Sequence, residues 1–188
     1  MQKNGIVIVG LGPAGANYLT REAWDYLSTC EEIYLRSAFH PACSELPESL
    51  KQHSFDYLYD EYKTLDEVLK AIVKELLELA QRPQGVTYGV PGSPFIGEET
   101  VSEVIKALAG SDVSVRVIDG LSYLEPVCSA LGIDVLPQTA MMDALYVGAQ
   151  WVPPFPPSMP AIISQLENQF EASELTLTLM HNYPDEFE

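Results

Sequence analysis

Along the first two thirds of the chain, apolar and polar positions switch between two periods. Gly5 to Val9 (GIVIV) is a β-branched run closed by Gly10, the pattern of a strand buried on both faces. A glycine turn over Gly10–Gly15 leads to a helix expected at Leu19–Leu27, with Thr20 as N-cap, Glu22 in the first turn, and Ala23, Trp24 and Leu27 at helical spacing. Glu32–Leu35 (EIYL) is a second strand, ending at Arg36-Ser37. Strand, helix and strand within about 30 residues is the unit of a parallel sheet.

His40–Tyr62 follows neither period and predicts a long excursion with one short helix at Glu45–His53. Leu65–Ala80 carries a clear helical stripe, opened by a Thr64/Glu67 capping box and stopped by Arg82-Pro83-Gln84-Gly85. Strands are expected at Gly85–Val90 and Val113–Ile118, and helices at Glu98–Ala109 and Ser122–Leu131. This alternation predicts a doubly wound α/β sheet with glycine loops at the carboxyl ends of its strands.

The pattern changes after Leu136. Five prolines between 153 and 160 precede an expected helix at Ala161–Glu167 and a half-exposed strand at Leu175–Met180 (LTLTLM). A boundary is therefore expected near Asp134–Pro137, with an N-terminal α/β domain at 1–134 and a second α/β domain at 135–188. One or two strands and a helix are too few to close a sheet, so that second domain is expected to be truncated. Trp151, Val152, Phe155 and Ile162–Ile163 would serve either a subunit contact or internal packing.

Charge narrows the function. Ten Lys and Arg against 27 Asp and Glu give a net charge of −17, a field that repels nucleic-acid backbones and anionic lipid. No apolar stretch reaches the roughly 18 residues of a membrane span, and the N-terminus runs into a strand with no secretory cleavage pattern. The three cysteines (Cys30, Cys43, Cys128) suit reduced thiols and a cytoplasmic location. His40, His53 and His181 are scattered, so no metal constellation is expected. The acidic residues of Asp56–Glu61 read as a solvated face.

Three glycine-bearing loops follow three strands. Gly10-Leu11-Gly12-Pro13-Ala14-Gly15 is a G-x-G-x-x-G turn whose free N–H groups favour an anion. A dinucleotide reader would want an acidic residue ending the second strand, and this chain has Arg36, which would suit a 2′-phosphate. Tyr88-Gly89-Val90-Pro91-Gly92-Ser93-Pro94 makes a stiff ledge poor in side chains, and Gly120-Leu121-Ser122-Tyr123 follows the fourth strand. If the strands are neighbours, all three loops line one crevice. Taken singly, each is equally an ordinary turn, and Ser122 is equally a helix N-cap.

Taken in order, VGLGPAGANYLT, EIYLRSAFHP, VTYGVPGSPFIGEETV and VRVIDGLSYLEPVCSALGID resemble the tetrapyrrole (corrin/porphyrin) methylase family, the class III S-adenosylmethionine-dependent methyltransferases. The likeness is closer still to the branch fused to a MazG-type nucleotide pyrophosphohydrolase. The resemblance implies a two-domain α/β fold, S-adenosyl-L-methionine as cofactor, and methyl transfer to a tetrapyrrole-like or other small-molecule acceptor. It places Pro13 on the acceptor side; Pro91, Gly92 and Ser93 around the methionine moiety; Ile96 as an apolar contact; Ser122 and Tyr123 in the third loop; and Met180 after the last strand. It implies a homodimer and names no catalytic side chain. Ser93 stands where many corrinoid-precursor methylases carry Asp. That departure favours a catalytically silent regulatory or dimerising domain beside a pyrophosphohydrolase as a second reading. An FAD- or NAD(P)-binding oxidoreductase is the third.

Overall fold

The computed structural model describes residues 5–166 and 168–184. Residues Met1–Val127 form one compact unit and Cys128–Glu188 a second.

The first unit is built from β1 (Gly5–Gly10), α1 (Arg21–Leu27), β2 (Glu32–Leu35), β3 (Lys51–Ser54), α2 (Asp56–Glu61), α3 (Leu65–Ala80), β4 (Val86–Val90), α4 (Glu99–Leu108), β5 (Ser114–Ile118) and the start of α5 (Leu124–Leu131). Its five strands form one parallel sheet in the order β3-β2-β4-β1-β5. The period-two alternation of β1 explains the layering. Ile6 and Ile8 pack with Val86, Tyr88 and Val90 against Val68, Ile72 and Leu76 of α3 and Val101 and Val104 of α4. Val7 and Val9 face the opposite way, onto Ala23 and Leu27 of α1. Helices on both faces leave the central strands no solvent face, which is why they read as unbroken apolar runs. Trp24, expected on the buried side of α1, is instead 38% exposed.

The expected helix at Glu45–His53 does not form. Pro41–Glu45 makes a 3-10 turn and Lys51–Ser54 is a strand, pairing parallel with β2 from Glu32↔Lys51 to Leu35↔Ser54. This strand lies at the sheet edge, where a polar KQHS sequence discourages further pairing and erases the apolar alternation that would have announced it. Asp56–Glu61 is helical, with Leu58 in the core.

The second unit holds β6 (Ala140–Asp143), α6 (Ala144–Gly148), β7 (Ala161–Ser164) and α7 (Gln169–Leu179), with β6 and β7 parallel. Two expectations are reversed here. Ala161–Ser164 is a strand and not a helix; the expected helix's last residue, Glu167, lies outside the described residues. Leu175–Met180 is not a strand, because α7 runs through it. Asn168 caps α7 by accepting from the Glu171 N–H (3.0 Å), and the Thr176 hydroxyl donates to the Ala172 carbonyl (2.7 Å). Thr178 is buried and donates to the Gln150 carbonyl (2.9 Å), so the threonines that suggested alternation serve the helix. Phe155 joins Ala140, Ala144, Val147 and Leu175 in this unit's core, while Trp151 stays 81% exposed.

Two substitutions test this packing. Leu76→Ala, at a fully buried position facing the sheet, is expected to lower unfolding free energy by about 2–5 kcal/mol in urea titration. Thr64→Ala removes the capping box of α3 and is expected to cost about 1 kcal/mol.

Candidate functional site

The carboxyl ends of β1, β4 and β5 meet at bare main chain. Leu11 N–H donates to the Val90 carbonyl (2.9 Å), so β1 and β4 stay paired as they leave the sheet. Gly12 and Gly92 then close an antiparallel bridge, with Gly12 N–H to Gly92 O at 3.2 Å and Gly92 N–H to Gly12 O at 2.8 Å. Both have positive φ, +72° and +64°, a region that costs a side-chain-bearing residue about 1–2 kcal/mol. The third loop closes onto the same spot. A Cβ on Gly10 would lie 2.6 Å from the Gly120 Cα and 2.7 Å from the Gly92 carbonyl oxygen, and one on Gly120 would collide with that oxygen. The three glycine loops therefore share one ledge, as expected if their strands are neighbours.

Polar contacts fix the ledge. The Thr20 hydroxyl accepts from Ala23 N–H (3.1 Å), as an N-cap should, and also donates to the Asp119 carbonyl (3.1 Å), tying the start of α1 to the β5 loop. His40 Nδ1 accepts from Ala42 N–H (3.3 Å), so its Nε2–H donates to the Gly12 carbonyl (2.9 Å). That carbonyl thus receives two donors. Burial lowers the pKa of His40 from 6.5 against the opposing effect of the Gly12 bond, which suits the neutral tautomer.

Arg36 has a different role from a phosphate ligand. Its Nη1 donates to Glu98 Oε2 at 2.7 Å, and the Glu98 carboxylate is 1% exposed. Burial opposes the charge on Arg36, but Glu98, with help from Tyr59, holds its pKa above the ordinary value. Glu98 also caps α4 by accepting from Thr100 N–H (3.1 Å) and from the Thr100 hydroxyl, which contacts Tyr88 Oη at 2.9 Å. The network ties β2, β4 and α4 together just beyond the proline-glycine turn.

Of the residues singled out in the sequence, Pro13, Pro91, Gly92, Ser93 and Ile96 are half-buried on the first two loops. Ser122 is buried, and its N–H and hydroxyl both donate to Glu125 Oε2 (2.9 and 2.7 Å). Burial would raise the Glu125 pKa, but these bonds hold it below 4.5. Ser122 therefore stiffens the entry to α5, and Tyr123 follows it, half-buried. Met180 belongs to the second unit, at the C-cap of α7, where it lines an open apolar groove of about 750 Å³ with Phe155, Ile163 and Leu179. Thr20, His40 and Glu98 were missed as site-builders. Thr20 and Glu98 follow glycine loops in the sequence, whereas His40 lies on the β2 loop, which has no glycine, and nothing local marks it. The Cys43 thiol, pushed up to about 11 by burial and the Asp56 charge, is no nucleophile at neutral pH. Among the described residues, no cluster of three or more His, Cys, Asp or Glu has metal-binding geometry, and no helix is long and apolar enough to cross a membrane.

A five-stranded parallel sheet with glycine loops joined at its carboxyl edge defines a class, and the sequence comparison gives the family. The chain belongs to the tetrapyrrole (corrin/porphyrin) methylases, whose family model matches residues 5–179. The uncharacterized protein YabN of Bacillus subtilis (strain 168) is 33% identical over 184 residues, 97% of this chain. This chain spans only 37% of YabN's length. Uroporphyrin-III-C-methyltransferase from Thermus thermophilus superposes with a TM-score of 0.68 at 20% identity, over 98% of this chain and 75% of that one. The methyltransferase CobJ matches with a TM-score of 0.50 at 17% identity, over 75% of this chain and 56% of that one. At these identities the structural likeness speaks for the fold.

Two changes probe the ledge's supports. Unfolded His40 takes up a proton below about pH 6.5 that the folded ring resists, so its contribution to stability is full above 6.5 and declines as pH falls below it. His40→Gln is expected to flatten the stability–pH curve below 6.5. The change should stay under the one-proton limit of about 1.4 kcal/mol per pH unit, because the ring is only half-buried. Glu98→Gln leaves Arg36 uncompensated and is expected to destabilise by about 3–5 kcal/mol in denaturant titration.

Proposed function

We propose that this protein is an S-adenosyl-L-methionine-dependent methyltransferase of the tetrapyrrole methylase type, acting on a tetrapyrrole-like or other small-molecule acceptor. The observation that carries the reading is the shared main-chain ledge at Gly10, Gly92 and Gly120. A ledge without side chains suits a ligand that must lie close to backbone and be met by N–H and C=O groups. Pro91, Gly92, Ser93 and Ile96 would hold the methionine moiety, Pro13 would face the acceptor, and the Ser122–Tyr123 loop and Met180 complete the set by resemblance.

Held by Pro91, Gly92, Ser93 and Ile96, S-adenosyl-L-methionine would supply an electrophilic methyl group for transfer to the acceptor. The protein's task is alignment and exclusion of water. Rigid loops serve this better than reactive side chains, in keeping with the inert Cys43 and the neutral, hydrogen-bonded His40. A homodimer, a cytoplasmic location and a fused or partner MazG-type pyrophosphohydrolase belong to the same proposal.

A second reading has its own support. Ser93 stands in place of the family's common Asp, and this chain matches only 37% of the length of YabN. The Ser93 departure suits a domain that retains cofactor binding but not transfer, serving a pyrophosphohydrolase. The dinucleotide reading loses its candidate phosphate ligand, since Arg36 is held by Glu98.

Calorimetric titration with S-adenosylhomocysteine is expected to show saturable binding, with no heat from NAD(P) or FAD; the reverse would end the methyltransferase reading. Gly92→Ala refines the test. A methyl there would have only the Leu121 carbonyl nearby, at 3.9 Å, and so would sit in open space above the ledge. Gly110, at φ +79° with nothing within 4 Å of an added Cβ, is the control. Both variants are expected to lose about 1–2 kcal/mol of stability from backbone strain. Only Gly92→Ala is expected to weaken S-adenosylhomocysteine, by about tenfold or more.

A further inference from the structure

The loop from β4 to α4 is held at both ends by one residue. The Arg36 main-chain N–H donates to the Gly89 carbonyl (2.9 Å), and its Nη1 donates to Glu98 Oε2 (2.7 Å). Gly89 is the last residue but one of β4, and Glu98 is the N-cap of α4. Arg36 itself directly follows β2, which pairs with β4 at Tyr34↔Tyr88 and Leu35↔Gly89. Its main chain is therefore fixed in the sheet, and its side chain reaches from the start of the loop to the end.

Between those ends lies a short turn on two glycine hinges. Gly92 (φ +64°) and Gly97 (φ +73°) flank Ser93–Ile96. The Ile96 N–H donates to the Ser93 carbonyl (3.3 Å), and the Phe95 N–H to Ser93 Oγ (3.4 Å). The first hinge is fixed by its bridge to Gly12. The second adjoins Glu98, whose Oε1 accepts from the Thr100 N–H and hydroxyl while Oε2 takes Arg36. The side chains of this ion pair are 21% and 1% exposed. Such a pair adds little net stability over an apolar replacement. What it does fix is where its two residues lie, because a charge-assisted bond with little access to water is geometrically demanding.

We infer that Arg36 is a positioning residue for the proposed cofactor: by holding Glu98 it keeps the Ser93–Ile96 turn in the shape that receives the methionine moiety before the ligand arrives. The inference rests on the methyltransferase reading, which puts Pro91, Gly92, Ser93 and Ile96 at that moiety. Such order enters affinity directly, since the apparent dissociation constant is the intrinsic one divided by the fraction of molecules already competent.

The test titrates the full chain with S-adenosylhomocysteine and measures amide hydrogen exchange in the free protein. Arg36→Met combined with Glu98→Gln removes both charges together, so neither is left buried alone, and the amide oxygen introduced can still cap α4. The denaturant midpoint is expected to stay near that of the wild type. The amides of Ser93, Phe95 and Ile96 are expected to exchange faster, and S-adenosylhomocysteine to bind about tenfold more weakly, as when the competent fraction falls to about a tenth. Arg36→Lys, which keeps the charge but not the planar fork, is expected to fall between the two. Affinity within about twofold of wild type in the double variant overturns the inference, and so does weaker binding with unchanged exchange. Should the double variant not fold, Arg36→Lys decides alone: unchanged affinity overturns the inference, and weaker binding with faster exchange at 93–96 supports it. A wild-type protein that does not bind S-adenosylhomocysteine removes the methyltransferase reading itself, and the inference with it.

Discussion

The structure depends on three strand ends being close enough for their backbones to touch. Gly10, Gly92 and Gly120 lie where any Cβ on Gly10 or Gly120 would strike a neighbouring main chain. Parallel strands about 4.8 Å apart normally diverge into separate loops. Here the Gly12–Gly92 bridge continues the pairing past the sheet and turns two loops into one surface. Positive φ at both bridge glycines bends the chain back within one residue of the contact. A side chain at Gly10 or Gly120 would part the loops, so the ledge and the sheet order imply one another.

What surrounds the ledge keeps it from moving. Thr20 links α1 to the β5 loop, His40 reaches from the β2 loop to Gly12, and the Arg36–Glu98–Thr100–Tyr88 network anchors β2 and α4 to β4. The His40–Gly12 and Arg36–Glu98–Thr100–Tyr88 contacts are buried or half-buried, the arrangement in which hydrogen bonds impose geometry most strongly. A reaction whose electrophile is already activated gains most from such stiffness, because alignment is what remains for the protein to provide.

The sheet and its glycine loops were legible because burial on two faces forces apolar runs, as in GIVIV and VTYGV, and because Thr64-x-x-Glu67 announces a helix start by direct hydrogen-bonding chemistry. The edge strand Lys51–Ser54 was not, since an exposed edge selects against the pattern that marks a strand. The second unit misled for a related reason. In a small two-stranded layer, Leu175–Met180 buries only Leu175 and Thr178, so apolar residues fall outside the helix's buried face and local alternation masks it. Asn168 with Glu171 was the better cue. At the site, the loops were visible as glycines, but their supports were not. Thr20, His40 and Glu98 act across 99, 28 and 62 residues of sequence, and no local pattern encodes such a partner.

Charge bears on the proposed reaction. S-adenosylmethionine carries a sulfonium and loses that positive charge when the methyl leaves, so the product is one charge unit less positive than the reactant. In a protein of net charge −17 with no Lys or Arg beyond Arg116, the long-range field favours the reactant over the product. The effect is screened over about 10 Å at 0.1 M salt, and the Arg36 guanidinium is already paired with Glu98. An acidic surface would thereby favour the proposed cofactor over its demethylated product.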